Sequence, residues 1–186
     1  MARQYQDLSR FRLPPDFRGR PAWLVQIWWM VQETLFAWSP QALFGWRNFL
    51  LRLFGAKVGH HVQIRSTARV TFPWKVVIGD YVWIGEQAQL YSLGPIEIGS
   101  HVSISHRTYL CTGSHDYTKP EFDIYTRKIT IEDEVWLANE VFVGPGVTIG
   151  RGAVLAVRST ALKDMPAGML CYGTPAVAVR PRNQRD

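Results

Sequence analysis

Aliphatic residues in this 186-residue chain recur every six positions. Val58, Ile64 and Val70 form one block, Ile78, Ile84 and Leu90 a second, and Ile98, Ile104 and Leu110 a third. Ile131, Leu137 and Val143 resume the series, followed by Ile149 and Leu155. Four residues after most of these positions the side chain is small or β-branched: Val62, Ala68, Val82, Ala88, Val102, Thr108, Val135, Val141, Val147, Ala153 and Ser159. Gly often follows the aliphatic residue directly, as at Gly59, Gly79, Gly85, Gly99, Gly144 and Gly150. A period of six is neither the 3.6 of a helix nor the alternation of an ordinary strand. It fits a coil with flat faces, each a short strand followed by a turn, stacking its inward aliphatic residue on the equivalent in the next coil. A β-sandwich would instead separate its strands by loops of variable length. The expected fold is mainly β, a parallel β-helix of hexapeptide repeats.

The period divides the chain into an N-terminal extension (1–57), a repeat region (58–162) and a tail (163–186). In the extension, residues 22–38 and 40–54 read as two helices. Leu43, Trp46, Leu50, Leu53 and Phe54 give the second one apolar face. Such a unit can cap the open end of a coil, where unpaired strand edges invite aggregation. In the tail, Pro and Gly end the regular structure at "KDMPAGMLCYGTPAVAVRPR".

The N-terminus "MARQYQDLSRFRLPPDFRGR" lacks the apolar core of a signal peptide. Residues 21–38 are apolar but contain Gln26, Gln32 and Glu33, short of the roughly 18 uninterrupted apolar residues of a spanning helix. Trp23, Trp28, Trp29, Phe36, Trp38, Phe44 and Trp46 crowd this region behind Arg10, Arg12, Arg18 and Arg20. Trp beside basic residues is the composition of an interfacial helix, so peripheral membrane contact is an expected second role. The net charge of +6 fits affinity for an anion. No run of five or six basic residues favours nucleic acid. Cys111 and Cys171 are too few for a disulfide framework, and a reducing cytoplasm fits best.

One stretch interrupts the period: "TYLCTGSHDYTKPEFDIYTRK", residues 108–128. It presents His115 between Gly113, Ser114 and Asp116. Together with the repeat, the loop "CTGSHDY", the run "VWLANEVFVGPGVTIGRGAVLAVRSTALKDMPAG" and the ending "YGTPAVAVR" resemble the hexapeptide acyltransferases. The similarity is greatest to the colanic-acid-type exopolysaccharide O-acetyltransferases, with the galactoside, maltose and virginiamycin acetyltransferases as relatives. It covers roughly residues 58–180.

The resemblance implies a left-handed β-helix, a homotrimer, acetyl-CoA as acyl donor and a sugar or lipid-linked saccharide as acceptor. It implies that the loop, about residues 111–128, protrudes and reaches across a subunit boundary. His115 matches the family's general base. A sugar hydroxyl is a weak nucleophile at neutral pH, and a positioned imidazole can take its proton as it attacks the thioester. The coenzyme A thiolate is a good leaving group, so no covalent enzyme intermediate is required. By the same resemblance Trp136, Ala138 and Asn139 lie near the pantetheine arm, with Ala156 and Val157 further along it. Lys163 and Arg180 face the phosphates, and Gly173 and Pro175 sit by the adenine. An extended pantetheine suits a groove with regularly spaced backbone amides. Where many members read Trp-Ile-Gly, this chain has Trp136-Leu137-Ala138; where many read Gly-Ala-Gly-Ser, it has Ala156-Val157-Arg158-Ser159. Each Ala narrows the groove by a methyl, and Arg158 adds bulk and charge. Tyr91, Ser92, Asp116 and Tyr125 are candidates for the acceptor pocket through their closeness to the loop.

Two other classes stay open on sequence. His101 and His106 have ligand-like spacing that resembles the hexapeptide carbonic anhydrases, but their phase in the repeat is one position late; no metal is expected. His60 and His61, being adjacent, should point to opposite faces of a strand. A non-catalytic β-helical scaffold is the third class. Cys111 follows the inward Leu110 with no basic partner fixed by sequence, so an inert thiol is expected there and at Cys171.

Overall fold

The structure, a computed structural model, describes residues 5–183; the outermost residues of the extension and the tail, 1–4 and 184–186, lie outside this range. Short parallel strands build three flat faces. The first face stacks Lys57–Val58, Val76–Ile78, Ile96–Ile98, Ile129–Ile131 and Thr148–Ile149. The second stacks Gln63–Ile64, Trp83–Ile84, Ser103–Ile104, Trp136–Leu137, Val154–Leu155 and Met169–Gly173, and the third Arg69–Val70, Gln89–Tyr91, Tyr109–Cys111, Phe142–Val143 and Thr160–Ala161. The register pairs like with like: Ile64 on Ile84, Ile84 on Ile104, Ile104 on Leu137, Leu137 on Leu155, and Leu155 on Cys171. These columns and the buried small residues between them form one continuous core.

Coils lie so close that some corners leave no room for a side chain. A Cβ on Gly79 would sit 2.7 Å from the carbonyl carbon of Gly99, and one on Gly85 would sit 2.6 Å from the backbone nitrogen of His106. Other corners need left-handed backbone without glycine. His61, Tyr81, His101 and Glu134 occupy one corner of successive coils at φ of 55°, 58°, 59° and 62°. Each such non-glycine residue costs roughly 1–2 kcal/mol. Contacts between coils offset this: His61 stacks on Tyr81 (centroids 4.7 Å apart) and Tyr81 on His101 (5.1 Å). His61 is therefore a corner residue stacked along the solenoid, which corrects the expectation that it alternates with His60 across a strand.

Helices α1 (Ala22–Val31) and α2 (Phe44–Leu53) cover the first coil, joined by a wide π-helical turn over Gln32–Phe36. Trp28, Val31, Phe36, Leu50 and Leu51 join the core. Polar side chains satisfy the edge of that coil. Trp28 Nε1 donates to the Val70 carbonyl (2.8 Å), and Gln32 Oε1 accepts from the Val70 N–H (2.7 Å). Asn48 Nδ2 donates to Val62 O (2.8 Å), Arg47 Nε to Ile64 O (2.6 Å), and Arg52 to Val58 O and Gly59 O. The second helix starts at Phe44 rather than 40: residues 40–43 form a separate turn, closed by Leu43 N on Pro40 O (3.0 Å), and Arg47 ties that turn down through the carbonyls of Pro40 (2.9 Å) and Gln41 (2.6 Å). At the other end, Ala176–Pro181 runs antiparallel to Met169–Gly173. Among the described residues, no helix is long and apolar enough to cross a membrane.

Candidate active site

The loop leaves the third coil after Tyr109–Cys111 and forms a two-stranded hairpin, Gly113–His115 against Ile124–Thr126. Gly113 lets its base pack closely on Leu93, where a Cβ would meet Cδ1 at 2.8 Å. The hairpin sets His115 opposite Ile124. Its Nδ1 lies 2.8 Å from the carbonyl oxygen of Phe122. A carbonyl only accepts, so Nδ1 carries the proton and Nε2 keeps its lone pair. The Phe122 ring stacks flat on the imidazole (4.1 Å, 7°), and Phe11 packs against it from the N-terminal arm (5.9 Å). Phe122 holds φ at 53°, a left-handed conformation unusual for so bulky a residue, and this turn aims its carbonyl back at the imidazole.

His115 borders an open cleft of about 720 Å³ shared with Arg12, Asp116, Lys119, Tyr125 and Arg127. The Thr118 hydroxyl, then its N–H, bond to Asp116 and hold its carboxyl below the usual carboxylate range, with Lys119 adding to the effect. Of the four candidate acceptor residues, Asp116 and Tyr125 line this cleft and two do not. Ser92 is fully buried, its hydroxyl donating to Phe72 O and accepting from Phe72 N. It is an internal tie between coils and is withdrawn from the acceptor set. Tyr91 is half-buried, edge-on to Tyr109, and burial pushes its phenol up. Cys111 Sγ donates to Gly113 O at 3.2 Å and interacts with Tyr91 and Tyr109, so the thiol has phenols for company rather than a base.

The residues expected to hold the donor cluster on successive coils. Trp136 pairs with Val154 and Leu137 with Leu155, which sets Ala138 and Asn139 beside Ala156 and Val157. Trp136 is half exposed and its indole donates to Ser105 Oγ (3.1 Å). Two backbone amides there are taken: Ala138 N donates to Leu155 O and Ala156 N to Cys171 O, both at 2.9 Å. The Asn139 side chain instead borders a groove of about 330 Å³ with Trp83, Ser103, Ser105 and His106. Arg158 sits at a corner with φ 60°, its guanidinium bonded to Glu140 at 2.7 Å, so its added charge is paired. Lys163 is exposed, Gly173 and Pro175 occupy the turn of the last hairpin, and Arg180 pairs with Leu170 at its far end. The groove and the His115 cleft share no lining residue.

Phe122, Phe11, Arg12 and Arg127 were missed by sequence reasoning. A backbone carbonyl has no residue signature, and the arm meets the loop only through long-range folding. Among the described residues, no three His, Cys, Asp or Glu side chains gather to hold a metal ion. His101 stacks at its corner, and His106 borders the Asn139 groove.

A stacked-coil parallel solenoid with one histidine-bearing hairpin fits the class of hexapeptide-repeat acyltransferases. Comparison with known proteins makes the class specific. The "Putative colanic acid biosynthesis acetyltransferase WcaF" of Escherichia coli strain K12 is 54% identical over 181 residues, 97% of this chain and all of the relative. A galactoside O-acetyltransferase of Lactococcus lactis is 28% identical over 74% of this chain and 68% of its own. A hexapeptide-repeat acetyltransferase of Vibrio cholerae, solved with acetyl coenzyme A, superposes with a TM-score of 0.80 at 28% identity, covering 89% of this chain and 92% of that one. No protein-family model matches. The chain belongs to the hexapeptide-repeat acetyltransferases, within their colanic-acid-type group, and it is an acyltransferase with their left-handed β-helical fold.

Proposed function

We propose that this enzyme transfers an acetyl group from acetyl-CoA to a sugar hydroxyl of an exopolysaccharide or its lipid-linked precursor, with His115 as general base. The observation that carries the reading is the bond from Nδ1 to the Phe122 carbonyl, which leaves Nε2 as the free acceptor beside an open cleft. Acetyl-CoA supplies a thioester carbonyl with a good leaving group. Nε2 takes the proton of the acceptor hydroxyl as its oxygen attacks that carbonyl, and returns it to the departing thiolate. The Phe122 carbonyl, facing the Nδ1 proton, stabilises the imidazolium between these steps.

Trp136, Ala138, Asn139, Ala156 and Val157 are assigned to the pantetheine arm, Lys163 and Arg180 to the phosphates, Gly173 and Pro175 to the adenine. The Asn139 side chain, which has no hydrogen-bond partner among the described residues, fits a pantetheine amide. Asp116 and Tyr125 are assigned to the acceptor. Separation of the His115 cleft from the donor groove supports a homotrimer in which one copy's loop completes the groove of the next. So do the exposed Trp83, Trp136, Val157 and Leu162. Light scattering should then report three copies of the 21.3-kDa chain; a monomer active at high dilution would refute the shared site.

Direct transfer is the expected kinetic mechanism, because His115 can activate the acceptor whereas Cys111 has no base beside it. Initial-rate plots should intersect, and Cys111→Ala should keep full turnover in an acceptor screen that follows thiol release from acetyl-CoA. Parallel lines with a trapped acetyl-cysteine would reverse this. The two free cysteines fit a cytoplasmic setting. Exposed Trp23, Met30, Leu35, Trp38 and Phe49 on the helical cap fit peripheral contact with the inner face of the membrane. Flotation with anionic liposomes should be lost in a Trp23→Ser, Trp38→Ser variant; equal flotation of both proteins would exclude that surface.

A further inference from the structure

We propose that the acceptor bound beside His115 carries a negative charge, a carboxylate or a phosphate, recognised jointly by Arg12 of the N-terminal arm and Arg127 at the end of the hairpin. The proposal rests on the acetyl-transfer reading above. The arm is fastened to the catalytic loop: Asp7 N donates to Pro120 O (2.7 Å), Arg10 pairs with Glu121, and Phe11 packs on the His115 ring. That places Arg12 in the wall of the His115 cleft although the two residues are distant in sequence. Arg12 is held in place, its Nη1 donating to Ser9 O (2.9 Å) and Phe11 O (2.8 Å), which leaves the rest of the fork to donate elsewhere. Arg127 lines the same cleft, its guanidinium over the Tyr125 ring, 5.5 Å from its centroid.

The charge pattern makes the argument. The two carboxylates of the cleft are already occupied: Asp116 by Thr118 and Lys119, and Asp123 by the same lysine at 3.3 Å. Among the described residues, no carboxylate lies within ion-pair distance of Arg12 or Arg127. Both arginines are exposed residues lining the same cleft and add positive potential to it, which favours an anionic ligand. The guanidinium fork matches the two oxygens of a carboxylate or phosphate. The cleft, about 720 Å³, falls in the range of small-molecule sites. A neutral sugar would leave both charges unanswered.

The test uses the full-length protein saturated with coenzyme A and three probes: p-nitrophenyl β-glucuronide, glucose 1-phosphate and neutral p-nitrophenyl β-glucoside. Calorimetry should show one or both anionic probes binding about tenfold or more tighter than the glucoside, with the advantage shrinking as salt rises. Which anion wins identifies carboxylate or phosphate as the recognised group. Arg12→Gln and Arg127→Gln should each weaken the anionic probe about tenfold, raising KM in the transfer assay with kcat little changed, while Arg→Lys restores part of the loss. Coenzyme A affinity should stay constant in both variants. Equal binding of charged and neutral probes, or a charged preference that survives in the double variant, would overturn the proposal. So would a loss of coenzyme A affinity, since the arginines would then serve the donor. Transfer that persists in His115→Ala would sink the acetyl-transfer reading while leaving the calorimetric result on anions intact.

Discussion

His115→Ala is expected to lose acetyl transfer by about 10²–10⁴-fold, the usual effect of removing a general base. Coenzyme A binding and the oligomer should survive, because alanine removes only the imidazole and leaves the hairpin pairing of Gly113–His115 with Ile124–Thr126 and the Asn139 groove in place. The fold should survive too: the lost contacts are one hydrogen bond to the Phe122 carbonyl, of about 1 kcal/mol, and stacking on Phe122 and Phe11. Steady-state kinetics beside thermal melting and coenzyme A titration separate these outcomes. His115→Asn is the sharper variant, since its amide can still donate to Phe122 O yet has no basic nitrogen. Unchanged turnover in either variant would remove His115 from the mechanism.

Arg47→Ala is expected to destabilise the protein by at least about 3 kcal/mol, a fall in Tm of roughly 6–12 °C. Arg47 is fully buried, and burial first, with Arg65 second, pushes its guanidinium below the usual range. Its four N–H bonds go to Ile64 O, Ser39 Oγ, Pro40 O and Gln41 O, with the cation also over the Phe44 ring at 5.0 Å. Alanine would strand the buried Ile64 carbonyl, break three part-buried bonds, leave the large Arg47 site unfilled and free the turn that precedes α2. Deleting residues 1–54 goes further, exposing the whole edge of the first coil, and should give insoluble protein. A deletion that leaves a stable, soluble oligomer would show that the helices do not cap the coil. Thermal and denaturant melts of the two proteins read both effects.

The periodic columns were open to sequence reading because each coil repeats one local geometry. A residue six places on takes the same inward position on the next face, and one coil later it stacks in the same column, so Ile64, Ile84, Ile104, Leu137 and Leu155 report their own burial. The helices were readable in outline from apolar spacing. The start of α2 was not, because residues 40–43 close a turn of their own that the Arg47 side chain anchors from the next helical turn. The interrupted period alone marked the loop, and resemblance to a known family singled out His115 within it.

Closeness along the chain misled at Ser92, near the loop in sequence yet turned inward to bond Phe72 one coil away. It also gave no hint of Arg12, which reaches His115 only because the arm folds back over the hairpin. By itself, then, the sequence determined the solenoid, the place of its interruption and the histidine that the loop presents. Only tertiary structure decided which nitrogen of that histidine is free, which charges face it and how the first coil's edge is satisfied. The physical reason is that side-chain periodicity is written in residue identity. The partner of His115 Nδ1 is a backbone carbonyl, a group every residue carries, and its position depends on the path of the chain.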